Sequence, residues 1–187
     1  MLIRSSALFA VALLLASSAR AEVFASQAEA LAAAFPGARV EKRAVLLDEE
    51  QKRAVEERAR APLESRVVTL HTAWQGGRAV GYAFVDVHEV RSMPEALLVV
   101  ITPDGVVAQT RMLAFHEPPD YLPPKRWLEQ FDQRTLTPDL RVGGSVHGIA
   151  GATLSTRAVT NSVRRSLALF SVLVQPAPTS LARAEGG

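Results

Sequence analysis

Residues 67 to 87 read Val67-Val-Thr-Leu-His-Thr-Ala-Trp-Gln-Gly-Gly-Arg-Ala-Val-Gly-Tyr-Ala-Phe-Val-Asp-Val87, two apolar-rich runs that meet at a pair of glycines. Runs rich in β-branched and aromatic residues on either side of a two-residue glycine turn predict a β-hairpin. A second hairpin is predicted where Ala96 to Ile101 and Val106 to Phe115 flank the turn Pro103-Asp104-Gly105. Four consecutive strands joined by short turns indicate an antiparallel sheet.

Helices are predicted on either side of these strands in the chain. Ser26-Gln-Ala-Glu29 and Asp48-Glu-Glu-Gln51 have the spacing of capping boxes, so each predicts a helix start, with a strand candidate from Val40 to Leu47 between them. After a proline-rich loop, a short helix is expected from Arg126 to Phe131. A long helix should begin near Ser155 or Thr156, because five apolar residues then recur every three or four positions: Val159, Val163, Leu167, Phe170 and Val174. The predicted fold class is α+β, an antiparallel sheet with helices packed on one face and a glycine-rich loop leading into a C-terminal amphipathic helix.

The N-terminus has the three parts of a cleavable signal peptide. Arg4 provides the positive charge, Ala7 to Ala16 form an apolar run, and Ala19-Arg20-Ala21 place small residues at positions −3 and −1 before Glu22. The apolar run is about half of the roughly 20 residues that a spanning helix needs. We therefore expect cleavage after residue 21 and an exported, periplasmic product, soluble or peripheral on the membrane.

Composition narrows the possible functions. Cleavage would remove Arg4 and Arg20, which reduces the 21 basic residues to 19 and matches the 19 acidic ones. A formally neutral product has no electrostatic basis for binding nucleic acid. The chain has no cysteine, which excludes disulfides, thiolate catalysis and cysteine-ligated metal centres. Its four histidines lack the short paired spacing of zinc or haem motifs, so no metal site is predicted: His71, His88, His116 and His147.

The segment that indicates chemistry is Gly143-Gly-Ser-Val-His-Gly-Ile-Ala-Gly-Ala-Thr-Leu-Ser-Thr156. Glycines let a backbone approach an anion closely, and a helix start offers free N–H groups at the positive end of the helix dipole. Thr153, Ser155 and Thr156 add hydroxyl groups. The same pattern also fits an ordinary turn followed by a helix cap. No lysine follows the glycines as in a P-loop, and no parallel βαβ pattern surrounds them.

Part of this segment, Gly148-Ile-Ala-Gly-Ala-Thr-Leu-Ser-Thr156, resembles the flavinylation motif of the FMN-binding domain family. That family includes flavin-carrying subunits of sodium-pumping quinone reductases and of Rnf-type complexes. The resemblance spans most of residues 79–170. The matching segments occur in the family's order: Gly81 to Phe84, Leu97 to Gly105, His116-Glu-Pro-Pro119 and Trp127 to Phe131.

The resemblance implies that Thr153 is the threonine whose hydroxyl is esterified to the phosphate of FMN, loaded by a separate magnesium-dependent flavin transferase. His147 stands where the family usually has an acidic residue, and Ala150 where it has serine or threonine. Covalent FMN, noncovalent FMN and an empty domain therefore all stay open, and the intact Gly-Ala-Thr core favours the first. The expected cofactor-binding residues are Thr153, Gly151, Ala152, Gly148, Ser155, Thr156 and His147.

These observations predict four segments and one function. The segments are a signal peptide at 1–21, a helical and strand region at 22–64, an FMN-binding domain at 65–175 and a flexible tail at 176–187. The expected function is electron transfer through FMN to or from a membrane or exported redox partner, a quinone reductase or a cytochrome. Two alternatives are a flavin-dependent reductase of a small substrate and a flavin-free binding module. The sequence shows no convergent acid and base set, which ranks the reductase below the carrier.

Overall fold

The structure is a computed structural model and describes residues 22–90 and 92–175. The predicted signal peptide and tail lie outside these residues. A six-stranded antiparallel sheet has the order β1-β6-β5-β4-β3-β2. Its strands are β1 (Glu22–Val23), β2 (Arg39–Leu46), β3 (Val67–Gln75), β4 (Arg78–Val90), β5 (Met93–Ile101) and β6 (Val107–Phe115). The helices are α1 (Gln27–Ala34), α2 (Glu49–Ala59), α3 (Lys125–Leu128) and α4 (Thr153–Leu173), with short 3-10 turns at Pro119–Tyr121 and Glu129–Phe131.

Both predicted hairpins are present. Gly76 and Gly77 have φ values of +58° and +77°, the left-handed backbone that a tight two-residue turn needs at both central positions, and Gln75 pairs with Arg78 across it. The β5–β6 hairpin closes through Gly105 N, which donates to Thr102 O at 3.0 Å. Local sequence therefore determines how neighbouring strands pair in the centre of the sheet.

Both predicted capping boxes are also present. Glu29 N donates to Ser26 Oγ, and Ser26 N donates to Glu29 Oε2. Asp48 and Gln51 make the same reciprocal pair at the start of α2. Each box satisfies backbone N–H groups that the first turn of a helix would otherwise leave without an acceptor.

The α+β class is confirmed, but the expectation that the helices share one face of the sheet is wrong. Alternate residues of β5 point into two separate cores. Leu97, Val99 and Ile101 contribute to the core that contains α2 and α4, whereas Leu98 and Val100 face α1. The continuous apolar run from Ala96 to Ile101 was the available signal, because a strand buried on both faces does not alternate.

Helix α4 begins at Thr153, two or three residues before the predicted start near Ser155 or Thr156. Thr156 N donates to Ala152 O at 3.0 Å, which makes Thr153 the first helical residue. The predicted stripe is buried from Val159 to Phe170, while Val174 is half-buried. Within the described ranges, no helix combines the length and the hydropathy needed to cross a membrane.

Candidate functional site

The glycine-rich loop is hydrogen-bonded to the short helix α3 and to the 3-10 turn that follows it. Trp127 Nε1 donates to His147 O at 2.7 Å, and His147 N donates to Gln130 Oε1 at 2.9 Å. Trp127 itself is buried and packs edge-to-face on Phe131, with ring centroids 5.4 Å apart. The backbone of His147 is therefore anchored at both its N–H and its C=O, while its side chain is exposed.

The first half of the loop is packed tightly against Asp139. A Cβ added to Gly144 would lie 2.6 Å from Asp139 Oδ1 and still closer to the Asp139 carbonyl oxygen. Ser145 N and Oγ both donate to that carbonyl, at 2.9 and 3.0 Å. A side chain at position 144 has no space, so glycine is required there for packing.

The second half of the loop leads into the N-terminus of α4. Gly151 has φ +84°, and a Cβ there would have no heavy atom within 4 Å, so backbone conformation and not packing requires this glycine. Ala152 is the N-cap and provides no side-chain hydrogen bond. The amides of Thr153, Leu154 and Ser155 precede the first backbone bond of the helix, and the first turn carries no acidic residue. This geometry suits a phosphate group.

The predicted hydroxyl residues occupy different environments. Thr153 is exposed, whereas Ser155 and Thr156 are 2% and 0% exposed. Thr156 Oγ1 donates to Thr153 O at 3.1 Å, and Thr156 O accepts a hydrogen bond from Thr160 Oγ1 one turn further along the helix. The hydroxyl accessible to a modifying enzyme at this helix start is therefore that of Thr153.

A small cleft, the helix-start cleft, opens beside these residues. Its volume is about 10 Å³, about the space of one water molecule. Glu117 is buried and lines this cleft. His116 does not line the cleft, and its Nδ1 donates to Pro94 O at 2.8 Å. The cleft does not enclose a ring system, for which pockets of about 300 Å³ or more are usual. Its lining residues are Val90, Glu117, Tyr121, Gly151, Ala152, Leu154 and Ser155.

Sequence reasoning missed a buried polar cluster between β4, β5 and α4. Asp86 accepts hydrogen bonds from Arg165 Nε and Nη2 at 3.1 and 2.5 Å, from Ser162 Oγ at 2.5 Å and from His88 Nδ1 at 2.9 Å. His88 Nε2 lies 3.4 Å from Glu95 Oε2, an ion-pair contact longer than a normal hydrogen bond. The available signal was that Asp86 and His88 share a strand face with buried Phe84.

The cluster fixes the protonation of its members. Burial raises the pKa of Asp86, but hydrogen bonds from His88 and Arg165 outweigh it and hold that pKa well below its ordinary value. Burial lowers the pKa of His88, but the carboxylates of Asp86 and Glu95 outweigh it and raise that pKa to about 9. His88 is therefore a cation at neutral pH and helps to balance two carboxylates.

The raised pKa of His88 predicts a loss of stability in mildly alkaline solution. A group whose pKa rises on folding stabilises the protein fully below its unfolded pKa of 6.5, and that contribution is lost as the pH rises through about 9. We expect the free energy of unfolding, measured by urea denaturation, to fall across this window by up to about 3 kcal/mol. The difference between wild type and His88→Gln should shrink over the same window. A constant difference would contradict the assignment.

The described residues thus form an α+β domain in which a glycine-rich loop presents a threonine at an uncapped helix start. Residues 93–168 match the family model described as the FMN-binding domain, which confirms the resemblance over this range. The matched range begins at β5 and ends within α4, so it includes the whole glycine-rich loop and Thr153. The match supports flavin binding, with FMN as the flavin. Comparisons with curated proteins and with solved structures found no significant match.

Proposed function

We propose that this chain is an exported electron carrier that holds FMN through a phosphoester bond to Thr153. The observation that carries the proposal is the position of Thr153, an exposed hydroxyl at the uncapped start of α4, inside the range that matches the FMN-binding domain. A phosphodiester formed there would place its negative charge beside first-turn amides at the positive end of the helix dipole.

The residues present fit the phosphate end of FMN. The amides of Thr153, Leu154 and Ser155 would be the donors for its oxygens, and Gly151 leaves open space beside them. Attachment from FAD by a flavin transferase would form the bond from Thr153 Oγ1 to phosphorus as the pyrophosphate bond breaks. AMP is then released, and the threonine proton passes to solvent. When bound, FMN supplies one-electron and two-electron redox chemistry.

The size of the helix-start cleft favours a carrier over a reductase with its own small substrate. A volume of about 10 Å³ leaves no enclosed space for a substrate beside a flavin. Leu154, next to Thr153, is 48% exposed, so this end of α4 is open to a partner's surface. We propose a membrane or exported redox partner, a quinone reductase or a cytochrome, and the signal sequence in residues 1–21 supports the export that such a partner requires.

The test is flavin fluorescence after denaturing electrophoresis of protein co-expressed with a flavin transferase of this kind and exported. Wild type should give a fluorescent band and an intact mass higher by one FMN less one water. Thr153→Val should lose both signals completely, since no oxygen remains for the ester. Thr135→Val, a substitution at an exposed loop threonine, is the matched control and should load like wild type.

Two other outcomes separate the alternatives. Exported wild type with flavin absorbance but no fluorescent denatured band would contradict the ester bond and indicate noncovalent FMN. Exported wild type without flavin by either measurement would contradict the proposed function and leave the flavin-free binding module. Flavin reduction by a quinol or cytochrome partner, without turnover of a soluble substrate, would distinguish the carrier from the reductase.

A further inference from the structure

Strands β3 and β4 separate at one end of the sheet. Their ladder ends at the pair Leu70 and Phe84, although β3 begins at Val67 and β4 continues to Val90. Beyond that pair, Val67–Thr69 remain bonded to β2 on one side, and Val85–Val90 remain bonded to β5 on the other. Within the described residues, no ladder pair joins these two inner edges. The sheet therefore contains an internal gap with strand backbone on both sides.

A cleft of about 260 Å³ occupies this gap, and we call it the β3–β4 cleft. Its inner wall is polar and includes Asp86, His88 and Arg165. Arg165 gives Nε and Nη2 to Asp86, while Nη1 makes no hydrogen bond to a described residue. The two cations and the carboxylates of Asp86 and Glu95 already balance. The wall therefore offers Arg165 Nη1 as a hydrogen-bond donor, and it needs no additional charged group for neutrality.

The outer rim of the cleft carries the exposed apolar side chains of Val67 and Val87, beside the exposed Glu64 and Ser65. Leu46, Val67 and Val87 are 68%, 57% and 62% exposed, the three highest values among the large apolar side chains that the structure describes. Leu46 and Val67 pair directly across β2 and β3, and Val87 lies on the opposite side of the gap. Strand alternation places Val87 on the face opposite Asp86 and His88. The apolar side chains of the rim and the polar wall therefore lie on opposite faces of the sheet.

We propose that the β3–β4 cleft binds an extended peptide segment of a partner protein by β-strand addition. Beyond Phe84, β4 is laddered only to β5, so its other edge offers the backbone donors and acceptors that strand addition requires. On the β3 side, Ser65 Oγ already bonds both Val67 N and Val67 O, so the incoming segment pairs mainly with β4. A strand alternates its side chains between two faces, which matches the apolar rim and the polar wall. Charge balance inside the cleft specifies neutral inward residues such as serine, threonine or asparagine, with valine-like residues outward.

A second copy of this chain matches these requirements poorly. Its exposed outer strand β2 contains the sequence Arg39-Val-Glu-Lys-Arg43, which is dominated by charged residues. Inserting such a strand would bury charges beside a cluster that is already neutral, at a high desolvation cost. A separate, neutral segment is the occupant that the cleft fits.

The experiment selects a phage-displayed library of random octapeptides on the full mature protein. Enriched peptides should alternate apolar and neutral polar residues. They should bind Val87→Lys about tenfold more weakly than wild type, because the lysine removes the apolar contact at the rim. Val80→Lys is the matched control, since Val80 is 40% exposed on the same strand and outside the cleft. N-methylation of the peptide backbone should abolish binding.

Three results would overturn the proposal. The first is a selection that yields no peptide able to distinguish wild type from Val87→Lys. The second is binding that survives backbone N-methylation, which would indicate simple hydrophobic adsorption. The third is a concentration-dependent dimer, seen by sedimentation, that Val87→Lys abolishes while no peptide is enriched, because the occupant would then be a second copy. The prediction does not depend on flavin loading and can be tested in the Thr153→Val background.

Discussion

Replacing Asp86 with alanine should lower the free energy of unfolding by about 3–5 kcal/mol, because the change leaves buried cations without their counter-ion. Arg165 is 7% exposed and would lose both of its charge-assisted hydrogen bonds to Asp86. His88 would lose the nearer of its two carboxylates, and Ser162 Oγ would lose its acceptor. Urea denaturation at pH 7 measures the effect as a lower midpoint with an unchanged slope.

The control for this substitution is Glu89→Ala, a change at an exposed residue of the same strand that should alter stability by less than about 0.5 kcal/mol. The double variant Asp86→Ala with Arg165→Met should be more stable than the sum of the two single losses predicts, because it removes the buried charges together. Strict additivity of the two single losses would show that the pair does not interact as the structure indicates.

Replacing Arg164 with methionine should lower the free energy of unfolding by about 3 kcal/mol, because its buried guanidinium donates to four carbonyl groups in two segments of the chain. Arg164 Nε donates to Ala59 O at 2.5 Å, and Nη1 donates to Thr137 O and Leu140 O, each at 2.8 Å. Nη2 donates to Arg58 O at 3.2 Å, so the side chain serves two carbonyls at the end of α2. Methionine keeps most of the side-chain length and apolar contact but supplies no donor.

Thermal and urea unfolding of Arg164→Met should be compared with Arg157→Met, in which the replaced arginine is exposed on the same helix. The control should stay within about 0.5 kcal/mol of wild type. Hydrogen exchange should also increase at the end of α2 and around residues 137–140. Equal stability of the two variants would show that water replaces the guanidinium without loss.

The predictable part of the fold was encoded locally. The glycine pair at Gly76-Gly77 and the capping residues of α1 and α2 act over two to four residues, so reading neighbouring positions was enough. Arg164 and Arg165 lie off the apolar stripe of α4, yet they are 4% and 7% exposed. Their partners Ala59 and Asp86 are 105 and 79 residues away in the chain. No local pattern reports such a partner, so their burial could not be predicted.

The candidate site likewise has a part that neighbouring residues predict and a part that depends on residues distant in the chain. The glycine-rich loop and Thr153 could be predicted from adjacent residues. The start of α4 was predicted two or three residues too late, because Ala152 caps the helix only with its backbone and gives no side-chain signal. Glu117 and Tyr121 reach the helix-start cleft from the proline-rich loop, more than 30 positions earlier in the chain. Thr156 is polar yet 0% exposed, and a pattern of apolar residues does not report the burial of a polar one.

The first described strand also bears on the proposed cleavage after residue 21. Glu22 pairs with Phe115 and Val23 with Ala114, so the residue that follows the proposed cleavage position is already part of the sheet. A peptidase has to hold several residues on both sides of its cut in an extended form, and a residue bonded to β6 is not free to enter its groove. If the leader is cut after Ala21, the cut has to come before β1 pairs with β6. The new amino terminus would then lie at the edge of the sheet, where β1 pairs with β6.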